Sequence, residues 1–198
     1  MYGHWKWGRR RMKPRQMIIL LLVMALIDDL ISLCFPVNFQ FQGYSFVPHF
    51  CFITLMLLIY ERGWIDRVLI SGFCGVLTDL FFSGTLPAYF IIYAGLGYLS
   101  GIFNKAMEED SRIRFFSLFV LVLLLDLIPF LVNLVFQSMN VSFMTWFMHH
   151  ELLTLTLHGV LILMMMYILD VLKRFALIRQ HRKQLDQRKK YVKMKTQK

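Results

Sequence analysis

The sequence predicts an all-α fold: a polytopic membrane protein whose six helices form a compact transmembrane bundle, with both termini in the cytoplasm. Three observations predict it. Hydrophobic residues make up 58% of the 198 residues and charged residues only 17%, against roughly 45–50% and about 25% in a soluble domain. The apolar residues come in unbroken runs near the ~20 residues that span a bilayer as a helix. Finally, every Lys and Arg falls between, beyond or at the very edge of these runs, in alternate connections only.

The runs occupy residues 17–35, 46–60, 67–82, 86–103, 115–136 and 147–172. The second is short, and Pro36, Pro48 and Pro87 mark run ends, where a missing backbone donor is cheap. Of the 22 bases, the segment before the first run holds 6, "ERGWIDR" holds 2, "NKAMEEDSRIR" holds 3 and the chain from Lys173 onward holds 11. The connections "PVNFQFQGYS", "SGTLP" and "QSMNVS" hold none. Six crossings place all four basic segments on one side, and the positive-inside rule makes that side cytoplasmic. The chain therefore divides into a basic N-terminal tail (1–16), a transmembrane domain (17–172) and a basic C-terminal tail (173–198) of a multi-pass plasma-membrane protein. Anionic inner-leaflet lipid is the partner such tails predict. The net charge of +10 does not point to nucleic acid, because no folded reader accompanies it.

Acids at membrane depth are the candidate polar sites. Asp28 and Asp126 each lie eleven residues into a run that enters from the same side, hence near mid-membrane. Glu151, Thr154 and His158 share one face of the last run. A lone buried acid is expensive, so Asp28, Asp126 and His158 are expected to meet as a polar knot. Asp28 and Asp29, about 100° apart on a helix, cannot both join it. Pro129, three residues after Asp126, is expected to kink or loosen its helix.

Small residues mark the third and fourth runs. Helices in lipid gain little from hydrophobic burial, and glycine lets their backbones approach. Gly72 and Gly75, with Asp79 one turn on, form a thin face, and Gly84 follows in the turn. Gly97 and Gly101 form a second small pair in "YAGLGYLSG". The expectation is glycine face against glycine face, with Asp79 accepting a hydrogen bond from Tyr89, Tyr93 or Thr85. The cysteines, Cys34, Cys51 and Cys74, have neither metal-ligand nor disulfide spacing and read as buried apolar residues. No phosphate loop, HExxH or nucleophile motif occurs, so no enzyme, cofactor or metal is expected. His150 and Glu151 alone do not make a catalytic pair.

The order of these motifs carries a likeness. "VPHFCFITLMLLIY", then "GFCGVLTDLFFSGTLPAYFIIYAGLGYLSGIF", resembles the MreD family of bacterial rod shape-determining membrane proteins over residues 47–103. The matching positions are Pro48, Gly72, Gly75, Asp79, Gly84, Gly97, Tyr98 and Gly101. Pro87 stands where the family often has glycine, which marks a divergent member. The resemblance implies a non-enzymatic scaffold of cell-wall elongation, helping to couple MreB-like filaments and an MreC-like protein to peptidoglycan synthases. It also implies a helix arrangement similar to the substrate-binding subunits of energy-coupling vitamin transporters. A vitamin-binding subunit is the alternative reading, with Asn38, Gln40, Gln42, Tyr44, Gln137 and Asn140 as candidate pocket residues.

Overall fold

A computed structural model describes residues 14–36, 45–82, 88–136 and 141–196, and these form helices and connecting turns with no strand among them. The expected sites at Gly84, Thr85, Asn38, Gln40, Gln42, Tyr44, Gln137 and Asn140 lie outside the described residues. In chain order the elements are α1 (Pro14–Cys34), α2 (Phe50–Ile59), α3 (Trp64–Phe82), α4 (Ala88–Leu99), α5 (Asn104–Glu109), α6 (Ser111–Val135), the single turn α7 (Phe143–Trp146), a π-helical turn (Phe147–Glu151) and α8 (Leu152–Thr196). The segments Pro14–Cys34, Ser111–Val135 and Phe143–Leu172 are long and apolar enough to cross a membrane. The chain is thus an all-α protein with several membrane-length helices.

Helices α2 and α4 are shorter, with 10 and 12 residues. At 1.5 Å per residue they reach only about 15 and 18 Å, half a bilayer. Each packs beside a longer partner: α1 against α2, and α3 against α4 in the most extensive pairing of the fold. Residues 45–49 lead into α2 without helical structure. Irregular backbone at membrane depth needs burial in protein, and Ser45, Pro48 and His49 are all buried.

The core gathers around α2. Phe52, Ile53, Leu55, Met56 and Ile59 are fully enclosed, packed with Leu21 of α1, Leu118, Leu121 and Leu125 of α6, and Ile162 of α8. Helix α2 is apolar all round, which marks a central helix rather than a lipid-facing one. A smaller cluster forms where Phe130 stacks on Trp146, with ring centroids 4.5 Å apart.

The two ends of the bundle differ. At one, Arg114 of α6 lies over the Tyr60 ring, donates to the Met107 carbonyl at 3.0 Å and faces Asp170 of α8 at 3.7 Å. Arg62 reaches Met17 of α1 at the same end. At the other, the Ser45 N–H donates to the His149 carbonyl at 3.0 Å. Helix α8 does not stop at Leu172, where the membrane segment was expected to end. It continues to Thr196, roughly 36 Å further. Pro129 sits inside α6 without ending it. Of the cysteines, Cys51 and Cys74 are buried, whereas Cys34 is exposed rather than buried as expected.

Candidate functional site: an intramembrane polar network

A helix leaves its first N–H groups without partners, and in lipid no water replaces them. The short helix α2 begins inside the bundle, and α4 begins against α3, so this problem arises at both. The same device answers it twice. Asp28 of α1 accepts from Phe50 N and Cys51 N, the first two residues of α2, at 2.8 Å each. Asp79 of α3 accepts from Tyr89 N at 3.1 Å and Phe90 N at 2.9 Å, in the first turn of α4. Each carboxylate spreads its two oxygens over two adjacent donors and faces the positive end of the helix dipole. Asp79 therefore bonds the backbone of α4, and Thr85, one of the side-chain donors expected from sequence, lies outside the described residues. Asp29 is only half-buried, as the geometry of adjacent helical positions requires.

The glycines serve the same α3–α4 contact. A Cβ on Gly75 would sit 2.7 Å from Phe90 Cα and 2.9 Å from Phe90 N, in the backbone of α4's first turn. Gly72 accommodates the Phe90 ring. In the second half of the pair the roles swap: Gly97 admits Ser71, and Gly101 lies under the Arg67 guanidinium. The expected glycine-to-glycine facing is therefore corrected. Each glycine opposes a larger group on the other helix, because an antiparallel stagger lets one surface fill the notch in the other. Tyr98 points outward and is exposed.

The polar knot also has a different membership from the one expected. No hydrogen bond joins Asp28, Asp126 and His158 directly. The linking residue is His49, directly before α2: its Nε2 donates to Asp126 Oδ1 at 2.9 Å. The His49 and His158 rings lie 5.1 Å apart between centroids, and Phe46 covers His158 at 5.5 Å. His158 Nδ1 donates to the Thr154 carbonyl at 2.6 Å, which leaves Nε2 as an acceptor without a partner. Glu151 is fully buried, and neither of its carboxyl oxygens has a hydrogen-bond partner. The π turn carrying it widens the backbone at the point where Ser45 Oγ and His150 Nδ1 meet at 3.0 Å.

Sequence reasoning missed His49. Its signal was a lone histidine between Pro48 and an apolar run, with no periodic partner to place it. What the network does is mechanical: His49 ties the entry of α2 to α6, Asp28 ties it to α1, and ring packing ties it to α8. Among the described residues no group of three or more His, Cys, Asp or Glu side chains is placed to hold a metal ion.

Replacing one partner of the His49–Asp126 pair is expected to be worse than replacing both. His49→Leu leaves a buried carboxylate without its donor and should lower stability by about 3 kcal/mol, whereas His49→Leu with Asp126→Leu should regain most of that loss. Thermal unfolding in detergent checks it. A double variant no more stable than the single one would mean that the pair does not hold this junction.

The chain that builds this site matches a known family. The family profile described as "rod shape-determining protein MreD" fits residues 10–176. The chain belongs to the MreD family. The match extends well past the 47–103 stretch that carries the visible motifs and takes in α6 and the membrane part of α8. Neither a curated protein nor a solved structure matches the chain. As an MreD protein it is a non-enzymatic membrane scaffold of the rod-shape, wall-elongation machinery.

Proposed function

We propose that this MreD protein acts by position: a bundle fixed by buried caps and close-packed helices presents its outer faces to partner membrane proteins. The family match over residues 10–176 carries this reading. The partners proposed are an MreC-like protein, MreB-like filaments and peptidoglycan elongation synthases. The proposed topology has six crossings, with both tails cytoplasmic. Its support is the distribution of bases, together with the gathering of Arg62 and Arg114 at the end of the bundle where α8 leaves. In this topology the 1–16 and 173–198 tails meet anionic inner-leaflet lipid. Glycines and caps serve the scaffold by holding α3 and α4 as one unit, so that lipid-facing Phe73, Val76, Leu80 and Ile91 keep fixed positions. Nothing in the described geometry favours the vitamin-transporter reading.

Isolation of the full chain in mild detergent, followed by identification of what accompanies it, tests the proposal. MreC-like protein or elongation synthases in near-stoichiometric amount are expected. A stoichiometric vitamin, recovered without wall-synthesis proteins, would overturn it.

A further inference from the structure

Arg67 stands out among the bases. Sequence patterning counted it with the solvated residues of "ERGWIDR", yet it is 7% exposed. It lies in the first turns of α3, with its guanidinium packed over Gly101, just past the end of α4. Its Nε and Nη1 are sealed from solvent and have no hydrogen-bond partner. The nearby Ser71 Oγ and Asn104 Oδ1 are also buried and unbonded. No acid among the described residues pairs with Arg67, and its neighbour Asp66 is exposed.

A guanidinium cannot shed its proton to escape burial. An unpaired buried charge is among the most destabilising features a fold can carry. The chemistry that suits such a charge is an anion with several acceptor oxygens, approaching Nη2, the guanidinium nitrogen that is not sealed. The surroundings identify its source. Trp64, Leu69, Tyr98 and Ile102, all strongly exposed, flank this end of the α3–α4 pair. Trp and Tyr concentrate where hydrocarbon gives way to headgroups, the level at which lipid phosphates lie.

We propose that Arg67, at the mouth between α3 and α4, binds the phosphate of a phospholipid headgroup, and that this lipid completes the fold of the α3–α4 unit. The guanidinium supplies the charge, and its Nη2, which is not sealed by protein, supplies the donor that a phosphate can reach. Ser71 follows one turn along α3, against Gly97, and the Asn104 N–H donates to the Gly101 carbonyl at 3.4 Å. Gly101 makes the room, since any side chain there would displace the guanidinium. The inference does not depend on which cellular partners the scaffold engages.

Thermal unfolding of the full chain in lipid-free dodecyl maltoside, with and without additions, tests it. Phosphatidylglycerol is expected to raise the midpoint by about 4–8 °C, the scale of one newly satisfied buried charge in a chain of this size. Diacylglycerol with the same acyl chains, which lacks the phosphate, should give no such rise. If inorganic phosphate alone reproduces the full shift, the site belongs to a free anion and the lipid assignment falls. Arg67→Leu removes the unpaired charge; it should unfold at or above the wild-type midpoint in lipid-free detergent and lose the response to phosphatidylglycerol. Arg174→Leu, at an exposed base on α8, should keep that response. An Arg67→Leu protein that is less stable than wild type without lipid, that fails to fold, or that still responds fully to phosphatidylglycerol, overturns the proposal.

Discussion

Asp28→Leu should lower the stability of the bundle by about 3–5 kcal/mol and sharply reduce the protein recovered from membranes. The substitution removes the acceptor for two N–H groups at the start of α2. Each unsatisfied buried donor costs roughly 1–3 kcal/mol, and neither has water to turn to inside lipid. Asp28→Asn keeps one acceptor oxygen and should lose about half as much. Asp79→Leu should behave in the same way through Tyr89 N and Phe90 N. Because the two acids cap different helices in different pairs, their losses should add. The measurement is the thermal midpoint of each variant in one detergent, with recovery of assembled protein as a second readout. An Asp28→Leu protein as stable as wild type would show that α2 does not need its cap.

Gly75→Leu should be comparably damaging for a steric reason. Even the first carbon of a side chain would meet the backbone of α4, at 2.7 Å from Phe90 Cα. Backbone cannot swing aside as a flexible side chain can, so α3 and α4 must separate. Overpacking of this kind costs about 3 kcal/mol, and separation also pulls Asp79 from the donors it caps. The internal control is Gly95 in α4, where an added Cβ meets nothing within 4 Å. Gly95→Ala should be neutral or slightly stabilising, since alanine favours helix over glycine by roughly 1 kcal/mol. Thermal unfolding of the two variants side by side checks the contrast, and co-isolation of partners should fall for Gly75→Leu alone. Equal tolerance of both changes would refute close backbone contact between α3 and α4.

Much of this arrangement was legible in the residue pattern, for a simple reason. A chain that folds in lipid must hide every backbone polar group in helix and keep its bases out of hydrocarbon. Apolar runs and the placement of 22 bases therefore reveal helices and their order directly. The glycines of "GFCGVLTDLFFSG" announced a close contact, and the acid beside them announced a buried polar role. Less legible was the identity of each partner. Hydrogen-bond acceptors on side chains can be satisfied by backbone donors that leave no trace in residue type. Asp28 and Asp79 both turned out to serve such donors, on helices 22 and 10 residues downstream.

The sequence by itself determined an all-α membrane protein, the positions of its apolar helices and its kinship with the MreD family, because these follow from composition and local order. Only the tertiary structure decided that α2 begins inside the bundle, that Asp28 and Asp79 cap α2 and α4, that His49 rather than His158 holds Asp126, and that Arg67 is buried. Those facts depend on which faces of distant segments meet. In lipid that choice is set by steric fit and by pairing of polar groups across helices, which no single stretch of sequence contains.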